Sequence, residues 1–253
     1  MEIITAVHQA ARLLKQYPNT VVLTGAGIST PSGIPDFRSQ GSGLWSRHLP
    51  MEVASLTCFR HQPERFFEWL RPLASHMWSA QPNVAHQALA QLERLGLLHT
   101  IITQNIDMLH QRAGSRRVLQ VHGSLGTLTC TGCYQQVAAQ AYIPDYLEHG
   151  KMPYCPRCGK LLKPDVVLFE EQLPARTWLE ARQASARCDL MLVAGTSLVV
   201  APVAELPMRA LQNGARVVIV NQSPTYIDPH AQVSIQGDVA EIIPAILDEV
   251  LHG

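Results

Sequence analysis

Helical patterns and short apolar runs alternate along the chain, as expected when helices cover a buried sheet. Apolar residues recur at helical spacing over residues 3–14, and after Pro18 interrupts that pattern a wholly apolar run follows. A second helical pattern stops at Gly96 and leads into another apolar run. The pattern predicts strands at 21–23, 98–103, 189–194 and 216–220, a helix that opens near Pro202, and a final amphipathic helix over 238–251.

This alternation predicts the α/β class, because helix and strand units place parallel strands side by side and cover both faces of the sheet. Segment 127–163 departs from the alternation with its cysteines, prolines and polar residues, and is predicted to be an inserted module. Segment 25–50 is too long for an ordinary strand-to-helix turn. Loops of that length inside compact domains are usually functional.

Four of the six cysteines form two C-x-x-C pairs, Cys130 with Cys133 and Cys155 with Cys158, separated by residues 134–154. Each pair lies on a tight turn that can direct two thiolates at one ion. Four thiolates leave zinc no open coordination position, so the predicted site is structural. A redox or disulfide role is the alternative for these pairs, and the other two cysteines are predicted to be small buried side chains.

The composition fits a folded protein and narrows the range of partners. Hydrophobic residues make up 47% of the 253 residues and charged residues 16%, which leaves no room for a long disordered tail. The 20 basic and 20 acidic side chains balance, so the chain lacks the electrostatic footprint of a nucleic-acid or membrane binder. No secretory-signal pattern follows Met1, and the longest purely apolar run, 190–194, is far shorter than a membrane span. We therefore expect a cytoplasmic protein.

Small and hydrogen-bonding residues follow three of the predicted strands. They are residues 24–30 (Thr-Gly-Ala-Gly-Ile-Ser-Thr), 195–197 (Gly-Thr-Ser) and 221–223 (Asn-Gln-Ser). Open α/β sheets bind nucleotides at the carboxyl ends of their strands, where glycines let backbone N–H groups approach a pyrophosphate. The first loop is an incomplete dinucleotide fingerprint because Thr30 replaces the third glycine, and a tight turn without a ligand is the alternative interpretation. Together, the three strand ends predict a nucleotide crevice.

Candidate catalytic groups are predicted beside that crevice. Residues 104–107 (Gln-Asn-Ile-Asp) end the strand at 98–103, and His122 and Gly123 follow another short strand. An imidazole with an ordinary pKa of about 6.5 suits a proton acceptor at neutral pH. His86 and His110 lie within helical patterns and are predicted to pack or cap.

Taken together, these blocks resemble the sirtuin family, in particular its short bacterial and archaeal forms. The matching blocks follow the family's order and span about residues 20 to 240. They are 25–29 (Gly-Ala-Gly-Ile-Ser), 33–38 (Gly-Ile-Pro-Asp-Phe-Arg), 103–107 (Thr-Gln-Asn-Ile-Asp), 122–123 (His-Gly), the four paired cysteines, 163–167 (Lys-Pro-Asp-Val-Val), 195–198 (Gly-Thr-Ser-Leu) and 220–221 (Val-Asn).

The resemblance implies a doubly wound, Rossmann-like NAD-binding domain with a smaller zinc-binding domain inserted. The NAD-binding domain would comprise residues 1–36, 81–126 and 164–253. Residues 37–80 would form the cofactor loop and the helical part of the small domain, and residues 127–163 would form its zinc-binding module. NAD is then the co-substrate, and one Zn²⁺ ion is structural.

The resemblance also implies roles for individual residues. Gln104 and Asn105 would position the NAD ribose, and Ile106 and Asp107 would hold the nicotinamide amide. The implied cofactor-binding set is Gly25, Ala26, Gly27, Ser29, Thr30, Ile34, Asp36, Phe37, Arg38, Gln104, Asn105, Ile106, Asp107, His122, Gly195, Thr196, Ser197, Asn221, Gln222, Asp238 and Val239. The implied substrate-pairing set is Val166, Val167, Leu168 and Phe169.

The implied activity is NAD-dependent deacylation of lysine, in which nicotinamide leaves and the acyl group is transferred to ADP-ribose. The site must exclude water and place the acyl oxygen at the anomeric carbon. His122 would be the general base, with Asn105 and Asp107 completing the catalytic set; the partners would be proteins or peptides that carry acyl-lysine. Alternatives are ADP-ribose transfer to a protein or to water, or a non-enzymatic zinc-ribbon regulator that binds nucleic acid or NAD.

The chain departs from the family pattern at one position and lacks one branch-specific feature. Glu170 stands where the family has glycine between phenylalanine and glutamate, which puts the path of the substrate-pairing strand in question; a preference for basic peptides is one expectation. The branch that removes succinyl groups carries Tyr-x-x-Arg, which segment 65–71 lacks. We therefore expect acetyl or another uncharged acyl group.

Overall fold

The computed structural model describes residues 3–36 and 49–253. The cofactor contacts predicted for Phe37 and Arg38 lie outside the described residues. The described strands are β1 Thr20–Thr24, β2 Thr100–Thr103, β3 Val118–Gln120, β4 Gly123–Cys130, β5 Gln136–Ala138, β6 Leu162–Val166, β7 Leu190–Ala194, β8 Arg216–Asn221 and β9 Val233–Gln236. The described α-helices are α1 Ile3–Gln16, α2 Pro50–Val53, α3 Leu56–His61, α4 Pro63–Ser79, α5 Val84–Arg94, α6 Leu109–Arg112, α7 Ile143–His149, α8 Ala175–Arg187, α9 Leu206–Gln212 and α10 Val239–His252.

Six parallel strands form the main sheet, in the order β3-β2-β1-β7-β8-β9. Because side chains alternate across a strand, Val21 and Leu23 of β1 pack in one core with α8 and α9, while Val22 packs in another with α1, α5 and α10. Both faces of the sheet are therefore covered. The predicted doubly wound, Rossmann-like fold is confirmed.

The strand order reverses direction between β1 and β7, which are neighbours in the sheet although residues 25–189 separate them along the chain. A crevice opens at such a switch point because the two loops that leave the adjacent strands turn to opposite faces of the sheet. This feature of the fold positions the site described below.

The second sheet is small and antiparallel, with the order β5-β4-β6. It packs near α4 and α7 in a core rich in aromatic rings, in which Phe66 is fully buried and Phe67 lies edge-on to Tyr146. The sheet runs from Gly123 to Val166, a little beyond both ends of the predicted module 127–163. The division of the chain into domains stays a prediction.

The four predicted strands of the main sheet are present with small shifts at their ends. Strand β2 begins at Thr100, two residues later than predicted, and β8 continues through Asn221. The helix predicted to open near Pro202 begins as a short 3₁₀ turn at Val203 and becomes α9 at Leu206. Among the described residues, no helix combines the length and the apolar character needed to cross a membrane.

Candidate functional site

A cavity of about 1220 Å³ lies at the carboxyl ends of β1, β2, β7 and β8 and extends to α4 and α8. Its polar end is formed by the loops that follow these four strands. Its other end is apolar and includes Phe66 and Trp69 of α4. The predicted crevice is therefore present as a single continuous cleft with two chemically different ends.

Two glycine-containing loops meet at the switch point with their backbones in contact. The Gly27 N–H donates to the Gly195 carbonyl at 2.8 Å. A Cβ atom on Gly27 would lie 2.9 Å from that carbonyl oxygen, and one on Gly195, which has φ of +63°, would lie 2.4 Å from the Ile28 nitrogen. No larger residue fits at either position. The close approach brings the loops that follow β1 and β7 together beside the cleft.

Amide side chains connect these loops to the neighbouring strand ends. Asn221 exchanges two hydrogen bonds with Thr196, accepting its backbone N–H at 2.9 Å and donating to its carbonyl at 2.8 Å. The Gln104 amide donates to the Thr196 hydroxyl at 2.9 Å. The loop that follows β7 is thus held from both sides, so its backbone is fixed before any ligand binds.

Asn105, which lines the cleft, forms a buried hydrogen-bond network with Ser29 and Asp107, which lie behind the cleft wall. The Asn105 amide donates to the Ser29 hydroxyl at 3.0 Å, and that hydroxyl donates to Asp107 at 2.7 Å. Burial raises the pKa of Asp107 above its ordinary value, while the N–H of Leu109 and the Ser29 hydroxyl act in the opposite direction. The carboxyl group therefore serves as a buried anchor for residues that face the cleft.

His122 lies in the two-residue connection between β3 and β4 and lines the cleft. Its Nδ1 atom is 3.0 Å from the carbonyl oxygen of Gln104. A carbonyl only accepts, so Nδ1 carries the proton and Nε2 is left with a free lone pair. Burial lowers the pKa of His122 below 6.5, against the effect of that hydrogen bond. The imidazole is therefore neutral at pH 7, and its Nε2 atom can accept a proton.

Most residues of the implied cofactor set line the cleft. Lining residues are Gly25, Ala26, Gly27, Asp36, Gln104, Asn105, Ile106, His122, Gly195, Thr196, Ser197, Asn221, Gln222 and Val239. Ser29 and Asp107 lie behind the wall, and the Thr30 hydroxyl donates to the Gly27 carbonyl at 3.0 Å. Ile34 packs in the aromatic-rich core that also holds Phe66 and Phe67. Asp238 caps α10 by accepting the Ala240 N–H at 2.8 Å.

The implied substrate-pairing segment 166–169 also lines the cleft, but only Val166 belongs to a strand. The Val167 N–H donates to the His122 carbonyl at 2.8 Å, and the Leu168 N–H donates to the Glu171 carboxylate at 2.9 Å. The Phe169 N–H donates to the Ala54 carbonyl, and the Phe169 carbonyl accepts the N–H of Leu56, the first residue of α3. The carbonyl groups are engaged as well: that of Val166 accepts from the Lys163 ammonium at 2.8 Å, and that of Leu168 accepts the Glu171 N–H at 3.0 Å.

Sequence patterns did not indicate the wall contributed by α8 and the residues before it. Leu173, Trp178, Leu179 and Arg182 line this side of the cleft. Helix α8 is rich in alanine and charged residues and buries only Ala181 and Ser185, so it carries a weak apolar stripe. The aromatic residues of α4 were predicted as core or pocket wall; Phe66 and Trp69 line the cleft, and Phe67 is core.

The four paired cysteines gather at the far end of the small sheet, with their Sγ atoms all within 4.8 Å of one another. The Sγ atoms of Cys130 and Cys158 are 3.3 Å apart, and those of Cys133 and Cys155 are 3.7 Å apart. A tetrahedral zinc ion with Zn–S bonds of about 2.3 Å places its sulfurs about 3.8 Å apart, whereas a disulfide requires about 2.05 Å. The cysteines therefore fit one structural zinc ion, and all are free of disulfides.

Backbone groups also prepare these thiols for a cation. The N–H groups of Cys133 and Gly132 point at the Cys130 sulfur at 3.4 and 3.3 Å. Together with the thiols of Cys158 and Cys133, they lower the pKa of the Cys130 thiol to about 6, whereas neighbouring thiols and burial raise the pKa of Cys158 to about 11. Zinc binds the thiolate form, which the surroundings of Cys130 favour at neutral pH.

His86 and His110 form a buried pair beneath the network, with ring centroids 4.8 Å apart. The Nε2 atom of His110 is 2.9 Å from the Thr24 hydroxyl, which donates to the Thr103 hydroxyl at 2.9 Å. Burial lowers the pKa of His86 to about 4, and burial followed by the charge of His86 lowers that of His110 well below 6.5. Their predicted packing role is confirmed by their burial.

These histidines should make the protein less stable in mild acid. An unfolded histidine binds a proton near pH 6.5, whereas the folded pair does not, so the free energy of unfolding falls as pH drops from about 6.5 towards 4. The slope is about 1.4 kcal/mol per pH unit for each histidine. Urea unfolding at several pH values should show a shallower slope for His86→Gln than for the unmodified chain. The exposed His61→Gln is the matched control, and identical slopes in all three proteins would contradict this assignment.

The doubly wound sheet, the cleft at its switch point and the four-cysteine site define a nucleotide-binding α/β protein with a structural zinc module. The profile of the Sir2 family matches residues 25–202. The chain belongs to this family, the sirtuins.

Individual relatives cover nearly the whole chain. NAD-dependent protein deacylase 2 of Archaeoglobus fulgidus is 46% identical over 245 residues, which are 96% of each sequence. A solved structure from work on the structural basis for the mechanism and regulation of Sir2 enzymes is 46% identical to this chain, with a TM-score of 0.90 over 98% of each chain. A Sir2 complex with a deacetylated p53 peptide and 3′-O-acetyl ADP-ribose is 39% identical, with a TM-score of 0.88 over 95% of this chain and 97% of the other.

Proposed function

We propose that this chain is an NAD-dependent protein deacylase that removes acyl groups from lysine side chains of proteins or peptides. The single observation that carries the proposal is the position of His122, a neutral base in the wall of one cleft that also holds the polar strand ends. NAD, when bound, supplies an anomeric carbon from which nicotinamide departs, and ADP-ribose accepts the acyl group. NAD and an acyl-lysine peptide are supported as substrates by the relative named NAD-dependent protein deacylase 2 and by the Sir2 complex with a deacetylated peptide and 3′-O-acetyl ADP-ribose.

His122 acts as the general base in this proposal. The hydrogen bond from Nδ1 to Gln104 fixes the ring so that Nε2 accepts a proton from a ribose hydroxyl. Asn105 positions the ribose from the cleft wall. Asp107 acts from behind that wall, where it holds Ser29 and thereby Asn105, keeping the nicotinamide side of the cleft in place.

The acyl-lysine side chain is proposed to enter beside segment 166–169 and to place its acyl group towards the apolar end. Phe66, Trp69, Leu70 and Leu73 of α4 line that end. Such a wall shields the reacting centre from water, which would otherwise compete with the acyl oxygen.

The test is a mass-spectrometric assay with NAD and an acetyl-lysine peptide. The expected products are deacetylated peptide, nicotinamide and O-acetyl-ADP-ribose in equal amounts, with none in the absence of NAD. Nicotinamide release that leaves the peptide acetylated, or ADP-ribose attached to protein, would instead support NAD hydrolysis or ADP-ribose transfer and contradict the proposal.

The acyl group is expected to be uncharged. Among the described lining residues the only lysine or arginine is Arg182, which lies on α8 and not on α4. A succinyl carboxylate at the apolar end would be desolvated without a partner. We expect kcat/KM for a succinyl-lysine peptide to be at least about tenfold below that for the same peptide with acetyl-lysine, equivalent to about 1.4 kcal/mol. Equal values would show that a cation reaches the acyl chain.

A further inference from the structure

Glu170 occupies a backbone conformation that normally belongs to glycine. Its φ angle is +73°, in the left-handed region that residues with a Cβ atom rarely adopt. The chain therefore adopts at this position a conformation that glycine adopts without strain, while carrying a glutamate. A side chain retained at such a position points to a contact that offsets the unfavourable conformation.

That contact is a hydrogen bond to the first turn of α3. The Glu170 carboxylate accepts the backbone N–H of Thr57 at 2.8 Å. The pKa of Glu170 is lowered, chiefly by this N–H and further by the positive charge of Arg60. The carboxylate is thus charged at neutral pH and bound to backbone next to the cleft.

The bond continues a short ladder between the cleft wall and the chain around α3. The Phe169 N–H donates to the Ala54 carbonyl at 3.0 Å, and the Leu56 N–H donates to the Phe169 carbonyl at 3.0 Å. The Thr57 N–H then donates to the Glu170 side chain. Three successive hydrogen bonds therefore attach the end of segment 166–169 to residues 54–57.

A second glutamate holds the same segment from the other side. The Glu171 carboxylate accepts the Leu168 N–H at 2.9 Å and forms an ion pair with Lys163 of β6 at 2.9 Å. The segment that lines the cleft thus lies between two carboxylate contacts, one towards the small sheet and one towards α3.

We propose that Glu170 is a positioning residue for the acyl-lysine peptide: its bond to Thr57 holds segment 166–169 in the path along which it lines the cleft, beside the proposed peptide. This inference rests on the proposed deacylase function. The expectation that Glu170 favours basic peptides stays a separate prediction.

Three substitutions separate the hydrogen bond from the backbone conformation. Glu170→Gln keeps an acceptor oxygen, and Glu170→Ala keeps the strained positive φ without the bond. Glu170→Gly also lacks the bond but adopts positive φ without strain. We expect the peptide KM to rise roughly fivefold or more in the alanine and glycine variants and to stay within about twofold in the glutamine variant. The kcat and the KM for NAD should stay within about twofold in all three.

Thermal unfolding provides the readout that distinguishes positioning from general stability. The alanine variant should unfold at a lower temperature than the unmodified chain and the glycine variant at an equal or higher one, because glycine adopts positive φ without strain. A peptide KM that rises in both variants supports positioning. A peptide KM that follows the unfolding temperature, or that is unchanged in both variants, would overturn it.

Two controls separate this inference from the proposed function. Glu148→Gln on α7, whose side chain is exposed and lies outside the cleft, should leave the peptide KM unchanged. If the unmodified chain shows no NAD-dependent deacylation, the proposed function fails first. An active unmodified chain with unaffected Glu170 variants overturns the positioning role alone.

Discussion

His122→Ala should lower the rate of deacylation by roughly 10² to 10⁴, the usual contribution of a positioned general base. The reason is the geometry at the junction of β3 and β4, where the Gln104 carbonyl fixes the tautomer and leaves Nε2 to accept a proton. NAD affinity should change by less than about threefold, because the strand-end loops that we propose bind it are held by Asn221 and Gln104 and not by the imidazole. Single-turnover kinetics and calorimetric titration with NAD measure the two effects separately.

The pH dependence provides a second check on the same residue. Burial lowers the pKa of His122, and only the neutral ring accepts a proton. The rate in the unmodified enzyme should therefore be constant above pH 7 and fall on an acid limb that lies below pH 6.5. Near-normal turnover in His122→Ala, or an acid limb that persists unchanged in its residual activity, would argue against the assignment.

Cys155→Ser should cause the largest loss of stability. Apparent binding free energies of structural zinc are about 10–16 kcal/mol in small zinc modules, and this energy contributes to folding. Even partial loss of it, about 3 kcal/mol, lowers the unfolding temperature by about 6–12 °C in a chain of this size. Zinc content should fall from one ion per chain, and soluble yield and activity should fall together.

A matched substitution separates metal binding from burial. Cys188 is buried like Cys155 but lies beside the main sheet, away from the four-cysteine site. Cys188→Ser should keep one zinc ion per chain. A Cys155→Ser protein that is folded, active and free of zinc would refute a structural metal, and equal zinc loss in both variants would show a non-specific effect of the substitution.

Sequence patterns predicted the main sheet well because its central strands are short apolar runs between clear helix signals. Strands β1, β7 and β8 are almost completely buried, and complete burial produces an uninterrupted apolar run. Edge strand β9 was not predicted. It buries only Val233 and Ile235, and four residues of alternating character are too few to separate a strand from a loop.

The site was predicted where chemistry constrains the sequence and missed where shape alone matters. Gly27 and Gly195 could be anticipated because backbone contact excludes a side chain at both positions. The wall from α8 could not, because its residues contribute only surface and their position depends on how the helix packs. The glycine-like backbone of Glu170 was also not predicted, since a glutamate in the sequence does not by itself indicate a positive φ angle.

Strand β4 begins directly after His122 and ends at Cys130, so one eight-residue strand links the proposed base to the metal site. At about 3.3 Å per residue the two are about 25 Å apart. Chelators such as EDTA should nevertheless inactivate the enzyme, because unravelling the cysteine end of the strand releases the imidazole at the other end. Inhibition of this kind would easily be mistaken for the signature of a metallohydrolase, and compounds that strip zinc would appear as false positives in an inhibitor screen.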